Sequence, residues 1–440
     1  MLVSIHKQFI FPVLIFLLSF PVNAQVREWS LEECIDTAFV HNKNLLIAHN
    51  QIELAALRNQ EAKANLIPKL MVQGDYKYYT DLPYQLLPNV AFGGIEGTYK
   101  EIQFGVPHNI GASLSFKMPI YDPQIMGSIQ VSETYQELSV LQQSKTKEQV
   151  YLEISGLYYN AQILKNRLDF LRKNLINSQR LHQNIQLLYD QKLAMRTDLD
   201  KVILQIQQLE MQVFQVESQY TTILKGMKFA MGLPLDTELE IPTAIAEIEE
   251  SGWESKSTLD YQIQESRLKI ASHELRTLKN SRIPSLSLYG NFGTTGFGYT
   301  GDPEAFLDFY RVSFVGAQVS FPLFNGTVTQ KKIRQKELEL TTSQIQKDLV
   351  SDQTMLQTQT ALAQQSVSAR QLETSKSQIE LAESVYVRTL LQQKEKMASL
   401  TEVLLADNAL RDSQQQYLNA MVDYLKATLE LKKSSGTLLN

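Results

Sequence analysis

Two long stretches of the chain carry the hydrophobic spacing of coiled helices. Residues 124–233 and 323–440 contain no proline, which breaks helix interiors, so each can form a helical hairpin. Apolar residues recur there at steps of three and four, the spacing of a coiled-coil seam. The seam of the first stretch is Leu164, Leu168, Leu171, Leu175, Leu199, Val202, Ile206, Leu209, Val213, Val216, Tyr220, Ile223 and Met227, and that of the second is Leu400, Val403, Asp407, Leu410, Gln414, Tyr417, Met421 and Tyr424. A helix over 124–190 would be about 100 Å long, more than a compact domain needs.

Four shorter segments alternate apolar and polar residues, which predicts strands. The apolar members are Ala112, Leu114, Phe116 and Met118 in 112–118, and Val315, Ala317, Val319 and Phe321 in 315–321; segments 70–79 and 285–293 alternate similarly. A period of two fits a half-buried strand, or a strand with lipid on one side and water on the other. The connections at 80–108 and 294–311 are rich in Gly, Pro and Tyr and are expected to be loops. Tyr76, Tyr78, Tyr289 and Phe292 are candidates for an aromatic belt at a membrane interface.

The chain is an internal repeat. Residues 56–76 align with 272–292 on their Ile-Pro pairs, and 111–123 align with 316–328. Each half therefore reads helix, strand, loop, strand, long helix, turn, helix. A candidate capping box opens each half, Ser30 with Glu33 and Ser257 with Asp260.

A nearly identical phrase precedes the last helix of each half. It reads KLAMRTDL at 192–199, the first hairpin turn, and KMASLTEV at 396–403, the second hairpin turn. The simplest interpretation of Asp198 and Glu402 is that they favour the N-termini of the following helices. In the second seam, Asp407 and Gln414 interrupt the apolar series. They either face water or set the register of the packed helices, and we favour the first.

Composition and the N-terminus indicate an exported protein without enzymatic chemistry. The 440 residues carry a net charge of −5, with no basic excess for nucleic acid. A basic start, the apolar run FIFPVLIFLLSF and PVNAQ predict a signal peptide over 1–24. The lone Cys34 cannot form an intramolecular disulfide, and the six histidines have no metal-ligand spacing. No G-x-S-x-G, H-E-x-x-H or P-loop motif is present, so we expect no enzyme, no cofactor and no metal.

Closure of the strands requires more than one copy. After the signal peptide no run of about 20 apolar residues exists, yet an exported chain can still enter a membrane through strands that close on themselves. Small membrane barrels need about eight strands, and one chain supplies four. Three copies would supply twelve, with three sets of helical hairpins around one axis.

The chain resembles the TolC-type outer-membrane factors. The resemblance covers about 28–436 and rests on SLEECIDTAFVHNKNLLIAHNQIELA, the two Ile-Pro junctions, PIYDP and PLFNG, AMGLPLDTELEIP, and ATLELKKSSGTLLN. It implies a mainly α fold with a membrane β-barrel: long coiled-coil helical hairpins form a trimeric α-barrel in the periplasm, and four strands per protomer form a shared twelve-stranded β-barrel in the outer membrane. The implied division is a first repeat over 25–232, an equatorial linker over 233–259, a second repeat over 260–432 and a C-terminal segment over 433–440.

The resemblance also implies a function, a passive gated exit duct of a tripartite efflux or type I secretion system. The implied partners are a periplasmic adaptor (membrane fusion) protein, an inner-membrane RND or ABC transporter and outer-membrane lipid, with no nucleic acid. The gate would use Thr197, Asp198, Thr401 and Glu402, and the adaptor would contact Lys192, Leu193 and Ala194 in the first turn and Lys396, Met397 and Ala398 in the second. The family glycine is replaced by Lys192 and Lys396, and an alternative role for these lysines is to pair with nearby acids. The alternative function is a soluble periplasmic coiled-coil scaffold or adaptor without a pore.

Overall fold

The structure, a computed structural model, describes residues 28–245, 257–298 and 308–439. The signal peptide expected over 1–24 lies outside these residues. The helices are α1 Leu31–His41, α2 Lys43–Ala64, α3 Pro123–Asp190, α4 Arg196–Met231, α5 Leu259–Asn280, α6 Val328–Lys394 and α7 Leu400–Ser434. The strands are β1 Lys69–Tyr78, β2 Tyr84–Pro88, β3 Tyr99–Gln103, β4 His108–Tyr121, β5 Ser285–Gly298 and β6 Asp308–Ser320.

The chain forms two compact units. Among the described residues, one unit comprises 28–36 and 157–245, and the other comprises 37–156, 257–298 and 308–439. The first unit contains the end of α3 with α4, and the second contains the sheet and α5 to α7. The mainly helical fold expected from the sequence is confirmed.

In the first unit, α3 and α4 pack along the predicted seam. Leu168 and Leu171 of α3 form a buried cluster with Leu209 and Val216 of α4. The flanking seam residues Leu164, Leu175, Val213 and Tyr220 pack against this cluster. The coiled-coil spacing therefore located the contacting residues correctly in this hairpin.

The start of the first unit is tied to the segment that follows α4. The Trp29 N–H donates to the Glu240 carbonyl at 2.8 Å. The Gln162 side chain of α3 donates to the Ala244 carbonyl at 2.8 Å, and the Lys165 ammonium donates to the Ile241 carbonyl at 2.6 Å. Helix side chains thus satisfy backbone carbonyls of a segment that has no helical bonds of its own.

In the second unit, α6 and α7 form the other hairpin. The seam positions Leu400, Val403 and Leu410 of α7 are buried, as predicted. A separate cluster joins the first part of α3 to α5 through Leu138, Ile263 and Ile270. Within the described residues, no helix is both long enough and apolar enough to cross a membrane.

The second unit also holds a four-stranded antiparallel sheet with strand order β1-β4-β5-β6. Strands β1 and β4 are adjacent in space although a long connection separates them, and β1 and β6 are the edges. The expectation that 80–108 is only a loop is wrong, because β2 and β3 form a separate two-stranded hairpin there. The second connection is also shorter than expected, since β5 runs to Gly298 and β6 begins at Asp308.

One of the two predicted capping boxes is confirmed. The Ser30 N–H donates to the Glu33 carboxylate at 3.0 Å, and the Glu33 N–H donates to the Ser30 hydroxyl at 3.2 Å. The box predicted at Ser257 and Asp260 is wrong. Helix α5 begins one residue later, because the Thr258 hydroxyl accepts the Tyr261 N–H at 3.4 Å.

Asp260 has a different partner. Its carboxylate accepts the Lys145 ammonium of α3 at 2.7 Å, and the same ammonium lies 3.1 Å from Glu148. Burial lowers the pKa of Lys145, but the hydrogen bonds and charges of both carboxylates outweigh burial and raise it above its ordinary value. The triad therefore carries a charged lysine at a partly buried junction between α3 and α5.

Candidate functional site

The first hairpin turn contains a lysine whose backbone is in the left-handed conformation. After α3, the Lys192 N–H donates to the Tyr189 carbonyl at 2.8 Å, and the Leu193 N–H donates to the Leu188 carbonyl at 2.7 Å. This pair of hydrogen bonds defines a Schellman motif, whose C′ position takes positive φ. Lys192 occupies that position with φ of 62°.

The second hairpin turn has the same geometry. The Lys396 N–H donates to the Gln393 carbonyl at 3.0 Å, and the Met397 N–H donates to the Gln392 carbonyl at 2.8 Å. Lys396 has φ of 61°. The repeated phrase in the sequence thus encodes one repeated backbone turn.

Two other helices of the chain end in the same motif with glycine. Gly232 has φ of 73° and ends α4, while Gly436 has φ of 72° and follows α7. The left-handed conformation costs a residue with a Cβ about 1–2 kcal/mol, and glycine avoids this cost. We call α4 and α7 the return helices and their C-terminal ends the bases. Glycine therefore occupies the left-handed position at the base of each return helix, whereas a strained lysine occupies it at each hairpin turn.

The turns expose apolar side chains next to these lysines. Leu193 is 59% exposed, Met195 72% and Met397 78%. Ala194 and Ala398 are half-buried, and the two lysines are exposed. Within the described part of the chain, neither lysine has an ion-pair partner, so the alternative that they pair with nearby acids is wrong.

The two acids of the predicted gate cap the helices that follow. The Ser399 N–H donates to the Glu402 carboxylate at 2.7 Å, and the Glu402 N–H donates to the Ser399 hydroxyl at 3.3 Å. This is a complete capping box. In the first turn the Met195 N–H donates to the Asp198 carboxylate at 3.3 Å, while Lys201 lies 3.6 Å from the same group. The helix-start interpretation of both acids is therefore confirmed.

The threonines of the predicted gate lie beside these caps. Thr197 and Thr401 are exposed at the second position of their helices. Asp200, a neighbouring acid in the first turn, pairs with Arg196 at 3.0 Å. Each turn thus combines exposed apolar side chains, acids engaged with their own helix, and a lysine that has no ion-pair partner among the described residues.

Asp407 is buried inside the second hairpin, so our preference for a water-facing position is wrong. It is only 3% exposed, and its carboxylate lies 3.0 Å from the Arg411 guanidinium one helical turn later. The buried Nε of Arg411 has no hydrogen-bond partner within the described structure. Burial raises the pKa of the neighbouring Tyr386 to about 12, with the charge of Asp407 adding to the effect. The spacing of Asp407 and Arg411, four residues apart on a helix, was the available signal for this pair.

The sheet has two chemically different faces. Residues directly opposite in an antiparallel pair share a face, so the register assigns every side chain to one of them. The apolar face comprises Leu70, Val72, Tyr76, Tyr78, Ile110, Ala112, Leu114, Phe116, Met118, Leu286, Leu288, Phe292, Phe309, Val315, Ala317 and Val319 together with small residues, His108 and Arg311. The polar face carries the remaining charges, at Lys69, Asp75, Lys77, Lys117 and Asp308, and many Ser, Asn and Gln side chains. It also carries a minority of large apolar and aromatic side chains, namely Met71, Tyr289, Phe297, Tyr310, Val312 and Phe314.

This division confirms the strand alternation and corrects one aromatic assignment. Tyr76, Tyr78 and Phe292 lie on the apolar face, whereas Tyr289 lies on the polar face with its ring centroid 6.0 Å from that of Phe314. Tyr289 therefore does not belong to an apolar belt. Most apolar-face side chains of the edge strands are exposed, including Val72 at 77% and Val315 at 76%.

Cys34 sits in α1 with no exposed surface. Burial raises its pKa to about 12, so the thiol is protonated at neutral pH. No group of three His, Cys, Asp or Glu residues that could hold a metal ion occurs among the residues the structure describes.

Comparison with known proteins places these features in a family context. Residues 259–437 match the model of the family described as Outer membrane efflux protein. The alkaline protease secretion protein AprF of Pseudomonas aeruginosa is 19% identical over 337 residues, which cover 74% of this chain and 69% of AprF.

Solved structures match over most of the chain. The outer membrane protein VceC of Vibrio cholerae gives a TM-score of 0.76 at 13% identity, over 92% of this chain and 96% of VceC. The outer membrane channel CmeC of Campylobacter jejuni gives 0.75 at 13% identity, over 93% of this chain and 86% of CmeC. Residues 259–437 are therefore similar to the outer membrane efflux proteins, and the chain has the fold of the outer-membrane channels, which confirms the resemblance noted in its sequence.

Proposed function

We propose that this chain is the exit duct of a tripartite efflux or type I secretion system. It is a passive, gated channel that carries substrates across the periplasm and the outer membrane, while an inner-membrane transporter supplies the energy. The observation that carries the proposal is the two-faced sheet. A soluble protein gains nothing from an exposed apolar face, whereas a lipid-facing barrel requires one.

The open edges of the sheet support assembly from three copies. Among the described strands, β1 and β6 each have one side that pairs with no other strand. Unpaired edges are satisfied in a membrane only by closure. Joining β6 of one copy to β1 of the next gives twelve strands, with the apolar face toward lipid and the polar face toward a water-filled interior.

The gate belongs to this proposal. Three copies would bring three Asp198 and three Glu402 carboxylates toward the periplasmic end of the channel. Crowded carboxylates attract cations, so a narrow ring of them makes a cation-preferring constriction. The capping bonds of both acids support this role, because they hold the carboxylates at fixed positions at the start of each helix.

The adaptor contact also belongs here. Leu193 and Met397 offer exposed apolar surface, and Lys192 and Lys396 each add a cation without an ion-pair partner in the described residues. A complementary partner surface would present an apolar pocket flanked by a carboxylate. We therefore expect the adaptor of this system to carry Asp or Glu where it meets these turns.

The class of inner-membrane transporter would determine which cargo the duct carries. A proton-driven RND pump would make the duct an outlet for small molecules or metal ions, and an ABC exporter would make it an outlet for polypeptides. AprF is named for protease secretion, which favours neither outcome for a chain only 19% identical to it.

Reconstitution tests the proposal against the pore-free scaffold. The processed protein, extracted from outer membranes in detergent, should behave as a trimer in native mass spectrometry. Added to planar lipid bilayers, it should produce discrete single-channel currents that prefer cations. A detergent-independent monomer that produces no current would contradict the duct and leave the scaffold.

A further inference from the structure

The β2–β3 hairpin stands apart from the four-stranded sheet. Its strands pair only with each other among the strands of the described residues. A two-stranded hairpin alone is marginally stable in water. A further contact is therefore required to hold residues 84–103, which we call the outer hairpin.

The outer hairpin exposes an unusual amount of apolar surface. At its end, Val90 is 53% exposed, Phe92 54% and Ile95 78%. On one face of its strands, Tyr84 and Tyr99 are exposed by 68% and 65%. A cluster of large exposed apolar side chains on a small element marks an interaction surface.

The residues that join the outer hairpin to β4, which we call its root, show on which face of the sheet the hairpin lies. The Asn109 side-chain amide donates to the Val106 carbonyl at 3.0 Å. Phe104 and Val106 line a cavity of about 750 Å³ together with Phe297 and Tyr310. Asn109, Phe297 and Tyr310 all lie on the polar face of the sheet. The hairpin is therefore anchored on the polar face and not on the apolar one.

This anchoring has a consequence that rests on the proposed function. In a barrel closed by three copies, the polar face is the inner face. Three hairpins rooted on that face would lean over the mouth of the channel and converge. The hairpin carries Glu96, Lys100 and Glu101, a net charge of −1, so the electrostatic repulsion between copies is small.

We infer that the outer hairpin is a contact surface for the same hairpin of neighbouring copies. Phe92 and Ile95 pack against their counterparts and bring the three hairpins together across the outer mouth of the channel. The partner is a second copy of this chain. Lipid is disfavoured as the occupant because it lies on the other side of the barrel wall.

Cysteine cross-linking in the full-length trimer tests the inference. Ile95→Cys and Val90→Cys place a thiol on the hairpin, and the native Cys34 is buried and gives little background. A short bis-maleimide should convert both variants to covalent dimers and trimers in denaturing gels. The matched control is Val72→Cys, which replaces a side chain that is 77% exposed, against 78% for Ile95. Its copies would be four strands apart, about 19 Å, and should not cross-link.

The outcomes separate this inference from the proposed function. Native mass spectrometry of each variant reports the trimer independently of cross-linking. An intact trimer in which neither Ile95→Cys nor Val90→Cys gives cross-linked species overturns the hairpin contact and leaves the duct standing. Labelling of both introduced thiols by a membrane-confined maleimide, without cross-linking, also overturns it, since the hairpin would then face lipid. Absence of a trimer in the unmodified protein removes the proposed function itself.

Discussion

Lys192 and Lys396 adopt the same left-handed backbone conformation, with φ of 62° and 61°. They lie 204 positions apart in the two halves of the chain, and each closes a Schellman motif, after helices of 68 and 67 residues. Gly232 and Gly436 hold the same conformation at the other ends of the return helices. Lysine at both turns is therefore not required by the backbone, and its cost in stability points to a role for the side chain.

Lys192→Gly and Lys396→Gly should each stabilise the folded protein and, under the proposed function, weaken adaptor binding. Relief of left-handed strain gains about 1–2 kcal/mol, and the greater freedom of glycine in the unfolded chain offsets about half of this. Thermal unfolding of the detergent-solubilised protein, followed by circular dichroism, measures the change. Lys376→Gly is the matched control, an exposed lysine inside α6, and should destabilise by about 1 kcal/mol. A loss of stability in all three variants would contradict the strain at the turns.

Adaptor binding is the second readout of the same two glycine variants. They restore the glycine of the resembled family but remove the cation, so affinity for an adaptor with an acidic contact should fall while the fold improves. Pull-down of the adaptor that the proposed function requires, by the detergent-solubilised protein, measures this. Lys192→Arg and Lys396→Arg keep the charge and should bind as the native protein does. Equal binding by all variants would remove the lysines from the interface.

Substitutions at Glu402 separate capping from gating. Glu402→Gln keeps the hydrogen bonds of the capping box and removes the charge, so stability should be retained. Glu402→Ala loses both and should cost about 1 kcal/mol. In planar bilayers both variants should show weaker cation preference than the native channel. If only the alanine variant alters selectivity, the carboxylate acts through the helix end and not through its charge.

The buried pair of Asp407 and Arg411 should behave as a unit. Arg411→Met leaves a buried carboxylate without its cation and should destabilise the folded protein by about 3 kcal/mol. Combining it with Asp407→Leu should recover most of the loss, because the charge that needed a partner is gone. Chemical unfolding of the single and double variants forms a double-mutant cycle. Additive losses would mean that the two side chains do not stabilise each other.

Tyr386 should make stability fall at high pH. Burial raises its pKa to about 12, above the value of about 10 in an unfolded chain, so the folded state holds the phenolic proton more tightly. Its contribution is fully present below pH about 10 and is lost as pH rises toward 12. Between pH 10 and 12, the free energy of unfolding should therefore decrease less steeply with pH in Tyr386→Phe than in the native protein. The difference between the two slopes should be about 1.4 kcal/mol per pH unit. An unchanged slope in this variant would contradict the burial of the phenol.

Adjacent residues of β4 offer a sharp test of the membrane face. Leu114 lies on the apolar face and Ser113 on the polar face. Leu114→Lys should reduce folding into lipid vesicles by about 2–4 kcal/mol, whereas Ser113→Lys should be tolerated in the watery interior. The fraction of heat-modifiable folded protein in gels measures both. Equal tolerance of the two lysines would remove lipid from the apolar face.

The sequence was most informative where a period repeats many times. The seam through Leu168, Leu171 and Leu209 was predictable because apolar spacing and the absence of proline act over whole helices. The outer hairpin was missed, because β2 and β3 are five residues each and Pro83 and Pro88 hide their alternation.

Single residues were harder to place. A lysine carries no signal for positive φ, so Lys192 and Lys396 looked like ordinary surface charges. Asp407 is buried beside Arg411, which lies outside the apolar period of the seam. The box at Ser257 failed because Thr258, an equally good cap, lies next to it.

The number of residues between the hairpin-turn lysine and the glycine at the end of the return helix is the same in both halves. Lys192 and Gly232 are forty positions apart, and so are Lys396 and Gly436. If both turns contact one partner surface, an insertion or deletion in one return helix must be matched by the same change in the other. In related proteins, a change in the length of α4 should then be accompanied by an equal change in the length of α7. A chimaera with a relative should exchange both of these helices together.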